Sequence, residues 1–104
     1  RLLPNNATIQ YRLGLVNYLL GREDQATAAL ERAYVLNPTV PDFLLTLTLL
    51  YEKQQKWDEA LDAADRLMRL QPGNPMFLEI QGRIQQGASR GTRRPPEATE
   101  KSGG

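Results

Sequence analysis

Residues 36–42 read LNPTVPD, and residues 70–76 read LQPGNPM. Both stretches hold a leucine, a polar residue and a proline, followed after two residues by a second proline. A proline has no amide hydrogen and disfavours helix at the residue before it, so the first proline indicates the end of a helix. The second proline suits the first turn of a helix, where no amide hydrogen is needed. Each stretch therefore predicts one helix ending, a short turn and a new helix beginning.

The closing prolines recur at a constant interval, because Pro4, Pro38 and Pro72 are 34 residues apart. Other residues keep the same phase. The pairs at this interval are Leu13 and Leu47, Ala26 and Ala60, and Leu36 and Leu70, and twice the interval separates Gly14 from Gly82. A fixed period of this length is typical of stacked supersecondary units.

Two helical segments are predicted in each unit. The first unit has apolar residues at helical spacing before a glycine that suits a helix end, and then a second apolar stripe. These residues are Tyr11, Leu15, Tyr18, Leu19 and Gly21, then Ala26, Ala29, Leu30, Ala33 and Leu36. The second unit predicts helices at about 41–53 and 58–70. Residues 45–49 alternate leucine with threonine, so the stretch 43–50 alone would fit a strand, but the repeat phase favours a helix. Asn6 and Asn74 are good N-caps for the first and last helices, and Val40 is a poor one.

A 34-residue helical hairpin with these features resembles the tetratricopeptide repeat. The family pattern has a large residue, Leu-Gly and Tyr in the first helix, then Ala, an aromatic residue and Ala in the second helix, and a closing Pro. The matching residues are Leu13, Gly14, Ala26, Ala33 and Pro38 in the first unit, and Leu47, Tyr51, Ala60 and Pro72 in the second. The departures are Gln10, Asn17, Thr48, Ala64 and Leu67. The resemblance implies an all-α fold, an α-solenoid of antiparallel helical hairpins with repeats at about 7–40 and 41–74.

The third unit holds only a first helix, expected at 75–86. Gln81 and Gln85 replace residues that would face a second helix of the same unit, whereas Phe77, Leu78, Ile80 and Ile84 can pack backward on the preceding hairpin. We therefore interpret this helix as a cap with a polar outer side. The predicted repeat domain is therefore 1–86. The remaining residues, 87–104, contain four glycines, two prolines and no large apolar side chain, which predicts a disordered tail.

The composition and residue spacing give no evidence for a catalytic, cofactor-binding or metal-binding site. The 104 residues contain no histidine and no cysteine, which removes imidazole and thiolate chemistry. One predicted helix carries four acids, Asp58, Glu59, Asp62 and Asp65. Arg66 and Arg69 follow the last two acids by four residues, which is the spacing of ordinary ion pairs on a helix surface. We therefore expect no enzyme, no cofactor and no metal.

Nucleic acid and membrane partners are also not expected. The net charge is +1, and the folded part shows no basic stripe. Arg90, Arg93 and Arg94 offer the one place for a phosphate contact, although a solvated tail is the commoner interpretation. The longest apolar run, 43–51, is too short to cross a bilayer, so we expect no membrane insertion. Without cysteine the cellular compartment stays open.

The resemblance implies that the first helices of successive repeats line a concave groove for an extended peptide or a partner helix. The candidate groove residues, assigned by repeat phase, are Tyr11, Arg12, Leu15, Tyr18, Asp42, Leu45, Thr46, Leu49, Glu52 and Arg83. One branch of the family holds C-terminal carboxylates with lysine and asparagine at some of these positions. This sequence lacks those residues there, so that activity is not carried over. Packing between repeats is the alternative for Leu45 and Leu49.

The expected function is a protein-interaction scaffold, in the C-terminal part of a longer protein. The alternative is a structural module that docks onto, or oligomerises with, a separate catalytic or cofactor-bearing domain of the same protein. The docking alternative would use the uncapped N-terminal end around Leu2 and Leu3, which is also the candidate place for self-association. The upstream sequence distinguishes the two functions, since further repeats favour the scaffold and an enzyme domain favours the docking module.

Overall fold

The computed structural model describes residues 6–92, and five α-helices fill this range without a strand. The helices are α1 (Ala7–Leu19), α2 (Glu23–Leu36), α3 (Pro41–Lys53), α4 (Trp57–Leu70) and α5 (Pro75–Thr92). The pairs α1–α2 and α3–α4 form hairpins, and the contacts α2–α3 and α4–α5 stack these units on each other. The predicted all-α solenoid is confirmed, and the leucine-threonine run lies in a helix.

Asparagine side chains begin the first and last helices, as the sequence predicts. The side-chain oxygen of Asn6 accepts the amide hydrogen of Ile9 at 3.1 Å. The equivalent oxygen of Asn74 accepts the amide hydrogen of Met76 at 3.0 Å. Val40 makes no side-chain cap at the start of α3. The side-chain caps thus occur where the chain supplies an oxygen for the unpaired amides of a first turn.

The two hairpin turns have the same backbone although their sequences differ. Gly21 has φ 80° and Gln55, 34 residues later, has φ 60°. After each of these residues, an amide hydrogen is donated back to the preceding helix at 2.8 Å, from Arg22 and from Lys56. Glycine adopts this left-handed conformation at little cost, whereas a side chain makes it unfavourable. The stacking of the repeats therefore imposes on Gln55 a conformation that its residue type does not favour.

The core is a continuous cluster that runs through all the hairpins. Its buried members are Ala26, Leu30, Leu44, Leu47, Leu50, Tyr51, Ala60, Ala63, Ala64, Leu67, Phe77, Ile80 and Ile84. Removal of these side chains from water is the main favourable contribution to folding. Every helix from α2 to α5 supplies residues to this cluster, so the repeats cannot be separated without exposing apolar surface.

The polar residues that depart from the family pattern are buried and hydrogen-bonded. Gln10 accepts a bond from the Arg32 guanidinium at 2.9 Å. Asn17 donates its side-chain amide to the Leu13 carbonyl at 3.0 Å. Thr48 donates its hydroxyl to a backbone carbonyl one turn earlier in α3. Because each group has a partner, the cost of burying it is largely offset.

One of these departures is matched by a change of size on the facing helix. A Cβ atom added at Gly14 would lie 2.7 Å from Leu30 Cγ and 3.2 Å from the Ala26 carbonyl oxygen. In the second repeat the equivalents of Gly14 and Leu30 are Thr48 and Ala64, and both are fully or almost fully buried. In the first hairpin the larger residue of this facing pair lies on the second helix, and in the second hairpin it lies on the first helix. The combined side-chain volume between the two helices therefore stays similar.

The α5 helix buries one side and exposes the other. Phe77, Ile80 and Ile84 are buried against the preceding hairpin, while Leu78 and Gln85 are exposed. The sequence prediction of a terminal helix with a polar outer side holds for Gln85. It is wrong for Leu78, which we expected to pack backward.

The sequence predicts a disordered tail from residue 87. This start is wrong, because α5 continues to Thr92. Gly87 is buried, and a Cβ atom there would lie 2.5 Å from Trp57 Cη2. The glycine therefore serves close packing of the tryptophan ring on α5, which its composition alone did not indicate. The rest of the predicted tail, 93–104, and Leu2 and Leu3 lie outside the described residues.

Gly14 and Gly82 occupy the same repeat position and should respond in opposite ways to alanine. Gly14→Ala should lower the free energy of unfolding by about 1–3 kcal/mol, because the added methyl group meets a fully buried leucine. Gly82→Ala should raise it by about 0.5–1 kcal/mol, because nothing lies within 4 Å of the added atom and alanine favours helix. Urea denaturation of both variants measures the difference. Equal effects at the two positions would contradict the close approach of α1 and α2.

Candidate interaction surface

The first helices of the units, α1, α3 and α5, are joined by side-chain contacts. The rings of Tyr11 in α1 and Phe43 in α3 have centroids 5.0 Å apart. Between α3 and α5, Glu52 and Arg83 form an ion pair. We call the surface formed by the candidate groove residues on these three helices the first-helix face; these are Tyr11, Arg12, Leu15, Tyr18, Asp42, Leu45, Thr46, Leu49, Glu52 and Arg83.

Apolar exposure on the first-helix face is concentrated at a few positions. Leu49 in α3 is 41% exposed, Tyr18 in α1 is 40% exposed, and Leu15 is half-buried. Tyr11 and Leu45 instead pack against the core cluster. Leu45, which packs on the core cluster, therefore fits the alternative of packing between repeats, whereas Leu49 keeps 41% of its surface exposed.

The ion pair between Glu52 and Arg83 is bidentate. The guanidinium donates from Nε to Oε2 at 2.6 Å and from Nη2 to Oε1 at 2.8 Å. These hydrogen bonds raise the pKa of Arg83, which keeps the guanidinium charged. Both residues were predicted as separate groove contacts. The structure brings them together, and each charge is already paired with the other.

A second link joins α1, α2 and α3 through Lys53, which the sequence analysis did not single out. Its Nζ lies 3.0 Å from the Glu23 carboxylate and 5.1 Å from the centre of the Tyr18 ring. The hydrogen bond that Lys53 donates to the Glu23 carboxylate is the main cause that raises the pKa of Lys53. Since these residues lie about one repeat apart, ion-pair spacing within a helix gave no signal for them.

The other candidate residues differ in whether their polar groups are hydrogen-bonded within the chain or exposed to solvent. Thr46 donates its hydroxyl to the Asp42 carbonyl at 3.0 Å, so this hydrogen is used within α3. The side chains of Arg12 and Asp42 are exposed on the same face. The first-helix face thus offers exposed apolar side chains beside charges that are partly paired with each other.

The acids of α4 behave as the sequence predicts. Asp62 pairs with Arg66 at 3.0 Å, and Asp65 pairs with Arg69 at 2.7 Å. Between residues 6 and 92, no group of acids is arranged to hold a metal ion. In the same range no helix is long and apolar enough to cross a membrane.

A separate depression lies between α2 and α4, away from the candidate residues. Tyr51 at its base donates its hydroxyl to Glu31 at 2.5 Å, and Glu59, Asp62 and Arg66 also line it. Burial raises the pKa of Tyr51 well above its ordinary value, and the hydrogen bond to Glu31 and the nearby carboxylates add to this shift. The neutral hydroxyl is therefore strongly favoured in the folded chain.

Known proteins share this architecture. A family model described as tetratricopeptide repeat matches residues 18–84, which is more than half of the chain. The chain belongs to the tetratricopeptide repeat family. Anaphase-promoting complex subunit 3 of Schizosaccharomyces pombe is 35% identical over 60 residues, which are 58% of this chain and 9% of that protein.

Two solved structures of MamA resemble this tetratricopeptide repeat chain. Both have a TM-score of 0.77, with 28% and 27% sequence identity. The matches cover 86% and 88% of this chain and 48% and 52% of the MamA chains. The chain thus spans about half of each MamA chain and a small part of the yeast subunit. Tetratricopeptide repeat proteins are in general protein-interaction scaffolds, and membership of the family supports this general role for the chain.

The buried Tyr51 hydroxyl predicts a specific loss of stability at alkaline pH. Its folded-state pKa is raised, so its contribution to stability is complete below pH 10.0 and falls as the pH rises above that value. Tyr51→Phe should therefore show a shallower fall in melting temperature than the unmodified chain between about pH 9 and 11.5. Circular dichroism melts across this range measure both slopes. Parallel slopes would show that the hydroxyl ionises as easily in the folded chain as in the unfolded one.

Proposed function

We propose that this chain binds an extended peptide or an amphipathic helix of a partner protein across the first-helix face. The observation that carries the proposal is Leu49, a leucine 41% exposed on the middle one of three adjacent first helices. Exposed apolar side chains at the centre of a surface are the usual source of binding energy. Tyr18 and Leu15 extend this apolar area along α1.

Rigid support around Leu49 favours the same interpretation. Lys53 links the neighbouring α1 and α2, and the Glu52–Arg83 pair links α3 to α5. Side chains that are already held in place lose little freedom when a ligand binds, which reduces the cost of association. The proposed roles therefore divide: Leu15, Tyr18 and Leu49 contact the partner, and Glu52 and Arg83 fix the helices that carry them.

The remaining candidate residues receive roles by exposure. Arg12 and Asp42 are exposed and provide polar contacts at the edge of the proposed site. Tyr11, Leu45 and Thr46 support it, since two of them pack on the core and the third bonds within its helix. Because the charges near Leu49 are largely paired internally, we expect the partner to be recognised mainly by apolar side chains.

The known relatives support a protein ligand. Anaphase-promoting complex subunit 3 is by its name a subunit of a multiprotein complex. The alternative, a docking module for a catalytic or cofactor-bearing domain of the same protein, would use a different part of the surface. Substitution at the first-helix face separates the two functions, because docking elsewhere does not need Leu49.

Leu49→Glu should reduce the recovery of bound partners at least tenfold, because a carboxylate forced into an apolar contact costs several kcal/mol and about 1.4 kcal/mol is a factor of ten. Leu15→Glu should act in the same direction. The matched control is Leu78→Glu, which changes a leucine 53% exposed on the outer side of α5. Affinity capture from a native lysate with quantitative mass spectrometry measures recovery, and thermal melts check folding.

Three results bear on this proposal. Loss of partners with Leu49→Glu and retention with Leu78→Glu supports it. Retention of the same partners by a folded Leu49→Glu chain contradicts it and favours docking through another surface. A fall of several degrees in the melting temperature of Leu49→Glu alone would show that this leucine packs between repeats.

A further inference from the structure

The depression between α2 and α4 lies where the two hairpins meet, so the described residues form both of its walls. Part of its lining is apolar, because it includes the buried side chains of Leu44, Leu47 and Ala63. Tyr34 and Tyr51 also line it. We call this feature the α2–α4 depression. None of its lining residues belongs to the first-helix face.

The size of the α2–α4 depression suits a single side chain. Its volume is about 120 Å³. Since an apolar cavity of about 150 Å³ holds one benzene molecule, this space fits a chain of a few carbon atoms. Four exposed charged residues also line it, namely Glu31, Glu59, Asp62 and Arg66. A side chain of a partner can therefore enter from solvent and meet charge on the way in.

The charges that line the α2–α4 depression are mainly negative. Three carboxylates stand against one guanidinium, and that guanidinium, of Arg66, is paired with Asp62 at 3.0 Å. Glu31 accepts a hydrogen bond from the neutral Tyr51 hydroxyl, which leaves its charge in place. Within residues 6–92, no lysine or arginine forms an ion pair with Glu31 or Glu59. Two negative charges at the depression therefore lack a counter-charge in the described part of the chain.

The Tyr51 hydroxyl shows the effect of these charges on a group inside the depression. Burial is the largest cause that raises the pKa of Tyr51, followed by the hydrogen bond to Glu31. The charges of Glu31, Glu59 and Asp62 raise this pKa further, because carboxylates disfavour a nearby phenolate. The electrostatic potential that opposes a negative charge at this place favours a positive one.

The contacts of Arg66 favour lysine over arginine as the side chain that enters. The Arg66 guanidinium lies 6.0 Å from the centre of the Tyr34 ring and donates hydrogen bonds to the Tyr34 hydroxyl and to Asp62. A guanidinium binds by stacking on rings and by forked hydrogen bonds, and Arg66 already uses these partners. Lysine carries a compact ammonium on a flexible four-carbon stem. That stem can lie on apolar surface while the charge stays near water.

We propose that the α2–α4 depression binds a lysine side chain of a partner protein, with its stem on Leu44 and Leu47 and its ammonium beside Glu31 and Glu59. The size of the depression and its charge complementarity with an ammonium carry the proposal. This surface is independent of the function proposed above, because Leu49 and the rest of the first-helix face are not part of it.

Titration of the whole chain with N-acetyl-lysine methylamide, followed by NMR of the leucine methyl groups, tests the site. Exposed ion pairs are weak, so the titration extends to about 100 mM at constant ionic strength. The lysine derivative should shift the methyl signals of Leu44 and Leu47. The norleucine derivative has the same stem without the ammonium, and the arginine derivative carries a guanidinium. Both should bind at least threefold more weakly than the lysine derivative.

Removal of single carboxylates tests the charge recognition. Glu59→Gln should weaken binding of the lysine derivative at least threefold, and Glu31→Gln together with Glu59→Gln at least tenfold, because the amide keeps the shape and loses the charge. The matched control is Asp58→Asn, which removes the neighbouring acid in the first turn of α4 but does not change the lining of the depression. This control should bind as the unmodified chain does. Circular dichroism melts check that the variants remain folded.

Each other outcome overturns the proposal. Unchanged signals of the two leucines show that the depression takes no lysine. Equal binding of the norleucine derivative shows apolar contact without charge recognition, and equal binding of the arginine derivative shows no selection for an ammonium. Equal weakening by Asp58→Asn shows a diffuse attraction to the surface of α4. Binding at least threefold tighter after joint replacement of Arg93, Arg94 and Lys101 by glutamine shows that the chain's own C-terminal residues compete for the depression.

Discussion

The structure depends on how closely the two helices of a hairpin approach each other. In the first hairpin, the space for a Cβ atom at Gly14 is taken by the fully buried Leu30 and by the Ala26 carbonyl. In the second hairpin, Ala60 and Ala64 provide the room, and Thr48 fills it. This approach fixes the position of each first helix against its second helix. It thereby determines which sides of α1, α3 and α5 remain accessible.

Stacking gives the two ends of the solenoid different surfaces. Each helix of the interior is covered by the unit before it and the unit after it. At the α5 end, the side that would meet another helix carries Gly82 and Gln85, and only Leu78 is apolar. At the α1 end, the exposed side carries the same apolar character as the buried side of α3. The exposed side of α1 thus has the apolar character of a side that helix stacking buries one repeat later, and the outer side of α5 does not.

Charged residues mostly stabilise contacts between helices in this protein. Lys53 reaches Glu23 and Tyr18, and Glu52 reaches Arg83, so two ion pairs hold three units of the solenoid in register. Each pair is partly exposed to water and contributes only modestly to stability. They join neighbouring units beside Leu49, which is the exposed large apolar side chain of α3.

The sequence by itself determined the order of the five helices, the turns between them and the 34-residue period, because these depend on local constraints; the end of α5 at Thr92 depended on its packing instead. A proline ends a helix and an asparagine begins one through atoms within a few residues, and the period records which positions are small or apolar. The tertiary structure alone decided the pairing of Glu52 with Arg83, the contact of Gly87 with Trp57 and the burial of Phe43, Leu47 and Leu50. The paired residues are about 30 positions apart, and whether they meet depends on the crossing of packed helices, which residue spacing does not encode. Likewise, burial depends on what packs on a surface, so these three residues are buried while the apolar residues one repeat earlier in α1 are exposed within residues 6–92.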